Sequence, residues 1–319
     1  MPRNVLITAG AGHIGQELLP LLQSLEETRV ILPTTNASRL KASLPPHSEP
    51  QSNPATFIAE EGSLTDPAWF QGLLEKYEVE TVFLCLTTED ELFTTLNCLD
   101  CMARSKTVKH LIYLSACYDF ASTECAQWIL RNCSSGHVLV KILTEQKLVY
   151  GNLPFSWSVI RPTLFFINDL RSKHSMIENS VYDEPLSEQG VSRVAPSDIA
   201  LAIKNVIIDE SGKWNGRHIS IGSKKVYKGS EIADIWSKAL GKRIEMYPAT
   251  EEGFRRFETE MGSKKNSAWG RDMRLMVELF AKEPFGMTEK EYLEQVELLG
   301  KEPEDYEAWV QKTVTTANW

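Results

Sequence analysis

No stretch of this 319-residue sequence approaches the roughly 18 consecutive apolar residues that a membrane-spanning helix needs. The opening MPRNVLITAG has no charged leader, long apolar run or small-residue cleavage site, so we expect a cytoplasmic protein with no membrane partner. Lys/Arg-rich runs with interleaved aromatics are missing too, and the formal charge is −9. That field repels phosphate backbones and argues against nucleic acid as a partner. The six cysteines, Cys85, Cys98, Cys101, Cys117, Cys125 and Cys133, form no spaced framework, which suits a reducing compartment. Cys98-Leu99-Asp100-Cys101 lacks a second pair or a nearby histidine to complete four ligands, so we expect no metal site. Two sequons, at Asn36 and Asn132, are read as chance matches, and no internal repeat is present.

What the sequence does contain is alternation. Short apolar runs at 4–8, 29–34, 56–59, 79–86 and 108–115 are separated by segments of helical period at 13–25, 66–77, 89–104 and 136–150. That order predicts βαβ units and hence an α/β fold with a doubly wound parallel sheet. Thr65-Asp66-Pro67 supplies a cap and an early proline for the second helix. The Pro/Ser-rich stretch 41–55 reads as a surface loop before the third strand. A sixth strand, 157–166, follows, after which the alternation weakens.

Gly10-Ala11-Gly12-His13-Ile14-Gly15 stands directly after the first strand and directly before the first helix. In that place a G-x-G-x-x-G gives a tight turn, a close backbone approach to a diphosphate and close packing of helix on sheet, the arrangement of a Rossmann domain. The helix N-terminus then offers unpaired N–H groups and partial positive charge to the phosphates. His13 points outward from the first helical turn or sits near a 2′-phosphate. About twenty residues further on, an NAD site keeps an acid at the end of the second strand. This strand ends Pro33-Thr34-Thr35-Asn36-Ala37-Ser38-Arg39, with hydroxyls and an arginine but no acid, which favours NADP(H) over NAD(H). Arg39 is either the phosphate contact or a solvated loop charge.

We therefore expect residues 1–160 to form an NADP-binding Rossmann domain and 161–319 a smaller α/β substrate lobe, with some strands shared. The lobe is read as a polar loop (168–193), a helix near 197–208, a strand at 217–222, a helix near 230–240 and helices through 266–281 and 288–312. Trp214, Trp236, Trp269, Trp309 and Trp319 are assigned to packing.

After the fifth strand comes Leu114-Ser115-Ala116-Cys117-Tyr118, and the next helix carries His137 and Lys141 on one face, extended by Glu145. With TAGAGHIG, the serine after strand five, this K-x-x-x-E, the sixth-strand RPT-x-FF, Val194 to Ala200 and Leu298 to Lys301, the chain resembles the NmrA-like group of atypical short-chain dehydrogenases/reductases over nearly its whole length. The resemblance implies that Lys141 hydrogen-bonds the nicotinamide ribose, that Ser115, Ala116 and Cys117 pass beside it, and that Pro162, Thr163, Leu164 and Phe165 line the carboxamide side. It also implies that Thr87 and Thr88 pass the adenosine ribose and diphosphate and that Gly62, Ser63 and Leu64 sit by the adenine.

Two departures stand out. Ala9 replaces the first glycine of the extended fingerprint T-G-x-x-G-x-x-G, and His137 stands where active short-chain reductases have the tyrosine of Y-x-x-x-K. His137 is a proton donor in that place or a packing residue; Lys141 is a cofactor contact or the i,i+4 partner of Glu145. Tyr118 and Asp119, in a loop (118–136) where substrate should approach, could replace the missing acid. The catalytic candidates are thus Lys141, His137, Ser115 and Tyr118. The resemblance implies an NADP(H)-dependent oxidoreductase acting on a small organic substrate, a natural product of fungal secondary metabolism, by C=N or C=C reduction. The alternatives are a cyclase using NADP(H) around a ring-forming step and a non-catalytic NADP(H) sensor, which alone calls for a protein partner.

Overall fold

The computed structural model describes residues 3–44, 55–87 and 89–316. Thr88, Trp319 and most of the Pro/Ser-rich stretch therefore lie outside the described residues. In chain order the first elements are β1 (Arg3–Ile7), α1 (His13–Gln23), β2 (Thr28–Thr34), α2 (Ala37–Ala42), β3 (Thr56–Glu61), α3 (Pro67–Lys76), β4 (Thr81–Leu84), α4 (Glu91–Arg104) and β5 (His110–Leu114). Then come α5 (Thr123–Asn132), α6 (Gly136–Tyr150), β6 (Ser156–Pro162), β7 (Leu164–Phe165), a 3-10 turn (Phe166–Ser172), α7 (Lys173–Asn179), β8 (Val181–Tyr182), β9 (Val191–Val194) and α8 (Pro196–Ile207). The chain closes with β10 (Arg217–Ile221), β11 (Val226–Tyr227), α9 (Gly229–Leu240), β12 (Glu245–Met246), α10 (Glu251–Lys264), α11 (Ser267–Phe280), α12 (Glu289–Leu299) and α13 (Tyr306–Thr316).

Two compact units share this chain. The first comprises 1–115, 143–161 and 199–219; the second comprises 116–142, 162–198 and 220–319. The first holds a seven-stranded sheet in the order β10-β6-β5-β4-β1-β2-β3. β1 pairs in parallel with β2 and β4, β2 with β3, β4 with β5 and β5 with β6, which makes this an α/β Rossmann-type fold. The order reverses on leaving β1, first toward β2 and then across to β4. That reversal opens a crevice at the carboxyl ends of β1 and β4, where such sheets bind ligands. Thr8 pins the crevice floor: its Oγ1 lies 3.1 Å from both Phe83 O and Cys85 O and accepts from Cys85 N at 2.8 Å. Leu6, Ile31, Phe70, Val82, Leu99, Leu111 and Val159 are buried in one cluster under the sheet. Each fully buried side chain of this kind contributes about 1.5–3 kcal/mol to the stability of the scaffold beneath the crevice.

The second unit packs Phe166, Met176, Tyr182, Trp236, Phe257, Val277 and Tyr306 into a core of its own. At its centre the wholly buried Asp169 and Arg193 form an ion pair, with Tyr182, Trp236 and Tyr306 donating to the same carboxylate. Asp198 in the VAPSDIA stretch accepts from Lys301 Nζ at 2.8 Å and Glu304 N at 2.7 Å, joining two motifs that lie far apart in sequence.

Several expectations are corrected. The stretch 118–136 is not all loop, since Ser122 caps a ten-residue helix, α5, inside it. The polar loop 168–193 holds a 3-10 turn, α7 and β8, and it buries Asp169, Asp183 and Glu184 rather than exposing them. Strand six stops at Pro162, which has no N–H with which to extend the ladder. Leu164 and Phe165 instead pair with β9 in a separate small sheet. Residues 199–207 of α8 and 217–219 of β10 belong to the first unit, where β10 adds an edge strand beside β6. Helices α2 and α10 were not anticipated, and the 288–312 helical stretch is broken at Gly300, a left-handed C-cap.

Candidate functional site

The glycine turn of the first unit is built by contacts no side chain could share. A Cβ on Gly15 would stand 2.3 Å from Gly10 O, and one on Gly10 would stand 3.0 Å from Leu32 Cδ2. Gly12 N donates to Ala9 O at 2.9 Å, closing the turn, and Gly12 is the N-cap of α1. No side chain caps that helix and its first turn carries no acid. Its N-terminal N–H groups and dipole are thus unopposed, which fits a diphosphate. Ala9 takes the turn's left-handed conformation at φ +56°, the place where the fingerprint has glycine.

Around the turn, Ile14 is buried while His13 is exposed. Thr34 ends β2, and its Oγ1 accepts from Asn36 N at 3.1 Å. Asn36 caps α2 by accepting from Arg39 N at 2.8 Å, and Thr35 and Arg39 are exposed. Ser63 Oγ lies 2.7 Å from Thr65 Oγ1, Leu64 is half-buried and Thr87 is exposed.

Ser115, at the end of β5, is buried and donates to Glu145 Oε1 at 2.5 Å. Glu145 has no exposed surface; it also accepts from Arg161 Nε at 3.2 Å and lies 3.4 Å from His218 Nε2. In sequence Glu145 stands out only as a neighbour of Lys141, and Arg161 and His218 carry no mark as its partners. A buried acid on the sheet-facing side of a helix, opposite a strand arginine, is the signal that would have found them.

In the second unit, Cys117 N donates to Pro162 O at 3.0 Å, which sets Cys117 beside Pro162. Ala116 and Phe165 are half-buried; Cys117, Leu164 and Thr163 are buried, and Thr163 Oγ1 has no hydrogen-bond partner among the described residues. Lys141 is buried as well, on α6. The Tyr118 hydroxyl is buried without a hydrogen-bond partner among the described residues, and burial pushes its pKa well up.

His137 is held on both ring nitrogens. Nδ1 meets the Asp272 carboxylate and lies 3.0 Å from Ser135 Oγ; Nε2 lies 3.2 Å from Met276 Sδ, with the Trp269 ring 5.8 Å away. Burial pushes the Asp272 carboxyl up, but its contacts with His137 and with Gly136 N bring it below the usual aspartate value. Nothing in the sequence flags Asp272, which lies 135 residues from His137. Among the described residues no group of three or more His, Cys, Asp or Glu could hold a metal, and burial pushes the Cys98 thiol up to about 12.

No helix among the described residues is long and apolar enough to cross a membrane. Comparison with solved structures gives the same fold at low identity. The NADPH-dependent quinone oxidoreductase of Escherichia coli, complexed with NADPH, is 15% identical over 99% of this chain and 100% of its own, with a TM-score of 0.71. The triphenylmethane reductase of Citrobacter, complexed with NADP(H), is 16% identical over 97% and 99%, at 0.70. NmrA, a negative transcriptional regulator in complex with NADP, is 14% identical over 99% and 96%, at 0.69. A search of curated proteins finds no match. The model of the NmrA-like family matches residues 1–310, and the chain belongs to that family.

Proposed function

We propose that the protein is an NADP(H)-dependent reductase whose acceptor takes hydride from the cofactor and any proton it needs from water rather than from a side chain. The carrying observation is the glycine turn, with its uncapped, acid-free helix N-terminus ready for a dinucleotide diphosphate. When bound, the cofactor supplies a hydride to the acceptor. Gly10 to Gly15 hold the diphosphate by backbone N–H groups, Arg39 meets the 2′-phosphate and Lys141 the nicotinamide ribose. Thr34, Thr35, Asn36, Ser63, Leu64 and Thr87 serve the adenosine end, and Ala116, Cys117 and Pro162 to Phe165 the nicotinamide end.

The catalytic candidates narrow the chemistry. Ser115 spends its only hydroxyl proton on Glu145, so toward a ligand it accepts rather than donates. His137 is committed to Asp272 and Met276, and buried Tyr118 is a poor proton source at neutral pH. Ketone reduction needs an acid at the developing alkoxide; iminium, quinone-like and conjugated C=C acceptors make smaller demands. The quinone oxidoreductase and the triphenylmethane dye reductase that share this fold are named for acceptors of that kind. A C=N or C=C intermediate of fungal specialised metabolism fits the same description.

The test is NADP+ and NADPH titration of the purified protein, followed by NADPH oxidation against a panel of iminium, enone, quinone and simple ketone acceptors. Binding with turnover of the first three and not the ketones supports the proposal, and absence of dinucleotide binding overturns it. The second reading, a sensor of nicotinamide redox state, is favoured by the internal commitment of Ser115 and His137. It requires tight binding, discrimination between oxidised and reduced cofactor, and no turnover with any acceptor.

A further inference from the structure

The end of β2 carries no acid of its own, yet the fold delivers one from the neighbouring strand. β2 and β3 run parallel in a register that sets Thr34 opposite Glu61, and Gly62 N donates to Thr34 O at 2.8 Å, so the two strands end side by side. The Glu61 side chain reaches across that end: its Oε2 accepts from Ala37 N at 2.9 Å, at the first residue of α2 and three residues beyond the last of β2. The apolar run of the third strand stops at 59, two residues short of Glu61, where β3 ends.

A carboxylate is thereby carried one strand sideways, to the corner where Rossmann domains that read a ribose 2′-hydroxyl keep theirs. Glu61 remains exposed, and so are Arg39 and Lys41, the two cations of the short helix α2 that follows β2. Chemically the corner is mixed. A carboxylate accepts from a 2′-hydroxyl and repels a 2′-phosphate; a guanidinium does the reverse.

We infer that Glu61 is a cofactor-selecting residue, which favours the unphosphorylated adenosine ribose and holds down the preference for NADP(H) that Arg39 creates. This rests on the dinucleotide reading proposed above. The chain accordingly binds both NAD(H) and NADP(H), with discrimination smaller than the acid-free β2 end alone implies.

The experiment is direct titration of the full chain with NADP+ and NAD+, at low and high salt, in the unaltered protein and in Glu61→Gln, Glu61→Ala and Arg39→Ala variants. Glu61→Gln keeps an acceptor for Ala37 N and removes only the charge, so it isolates the electrostatic effect. It should raise the NADP+/NAD+ affinity ratio about three- to fivefold at low salt, the scale of one exposed charge contact. The gain should shrink as salt screens it. Glu61→Ala must move the ratio in the same direction and Arg39→Ala in the opposite one. A ratio unchanged within twofold in both Glu61 variants overturns the inference and leaves the dinucleotide reading standing. Failure of the unaltered protein to bind either dinucleotide sinks the dinucleotide reading, and this inference with it.

Discussion

The Ser115 hydroxyl donates to Glu145 Oε1 across 2.5 Å, and Glu145 is wholly buried between that hydroxyl and the Arg161 guanidinium. A serine at the end of β5, in the crevice region of the sheet, is thus bound into a charge network of its own unit. Glu145→Ala removes the carboxylate that compensates a buried guanidinium, and it should cost about 3–5 kcal/mol in urea unfolding. Ser115→Ala removes one neutral donor and should cost about 1 kcal/mol. Equal costs for the two variants would show that Glu145 does not anchor the network.

The glycine turn gives a pair of predictions with opposite signs. Gly15→Ala forces a Cβ to 2.3 Å from Gly10 O, so α1 must move off the turn. Destabilisation of about 1–3 kcal/mol should accompany loss of NADP+ binding in a calorimetric titration. Ala9→Gly should do the reverse for stability, because Ala9 holds φ +56° and glycine meets no Cβ penalty there. A gain of about 1 kcal/mol is expected, with dinucleotide binding retained.

The parts legible in the sequence were those written in local order. Five apolar runs separated by helical segments marked five of the seven sheet strands to within a few residues, and the glycine turn announced the crevice. Pairings between distant residues were not legible. Glu61 reaches Ala37 only because β2 and β3 share a register, and Asp272 reaches His137 only through the packing of the second unit. The 168–193 stretch is polar in composition, but Asp169 is polar in order to pair with Arg193 inside a core. Composition reports solvation on average, whereas a buried ion pair answers to one partner.

The His137–Asp272 contact separates a structural histidine from a catalytic one. Asp272 titrates below its usual value in the folded chain, so its stabilising effect is present above the ordinary aspartate range and drains away as pH falls through the folded value. Asp272→Asn should therefore lower stability at neutral pH and cost progressively less toward strongly acid pH, as read from urea midpoints. His137→Gln should leave NADPH turnover within about threefold, while loss of a true general acid removes about a hundredfold or more. A hundredfold loss would return His137 to the role of proton donor.

His110 supplies a second pH dependence, in the Rossmann unit. Its Nδ1 lies 2.6 Å from Ser156 Oγ and its Nε2 3.0 Å from Ser158 Oγ, while those hydroxyls lie 3.0 Å from Lys109 O and 2.7 Å from Trp214 O. Burial brings the imidazole down from 6.5 to about 4, against a smaller opposing pull from Asp209. Between those values the unfolded chain takes up a proton that the folded chain refuses. Stability is then complete above the unfolded pKa and falls as pH drops toward the folded one, by up to about 3 kcal/mol. Urea unfolding at pH 7.5, 6 and 5 should show that decline in the unaltered protein. In His110→Gln, which cannot charge, this part of the decline should vanish. An identical pH profile in both proteins would place the proton-sensitive group elsewhere.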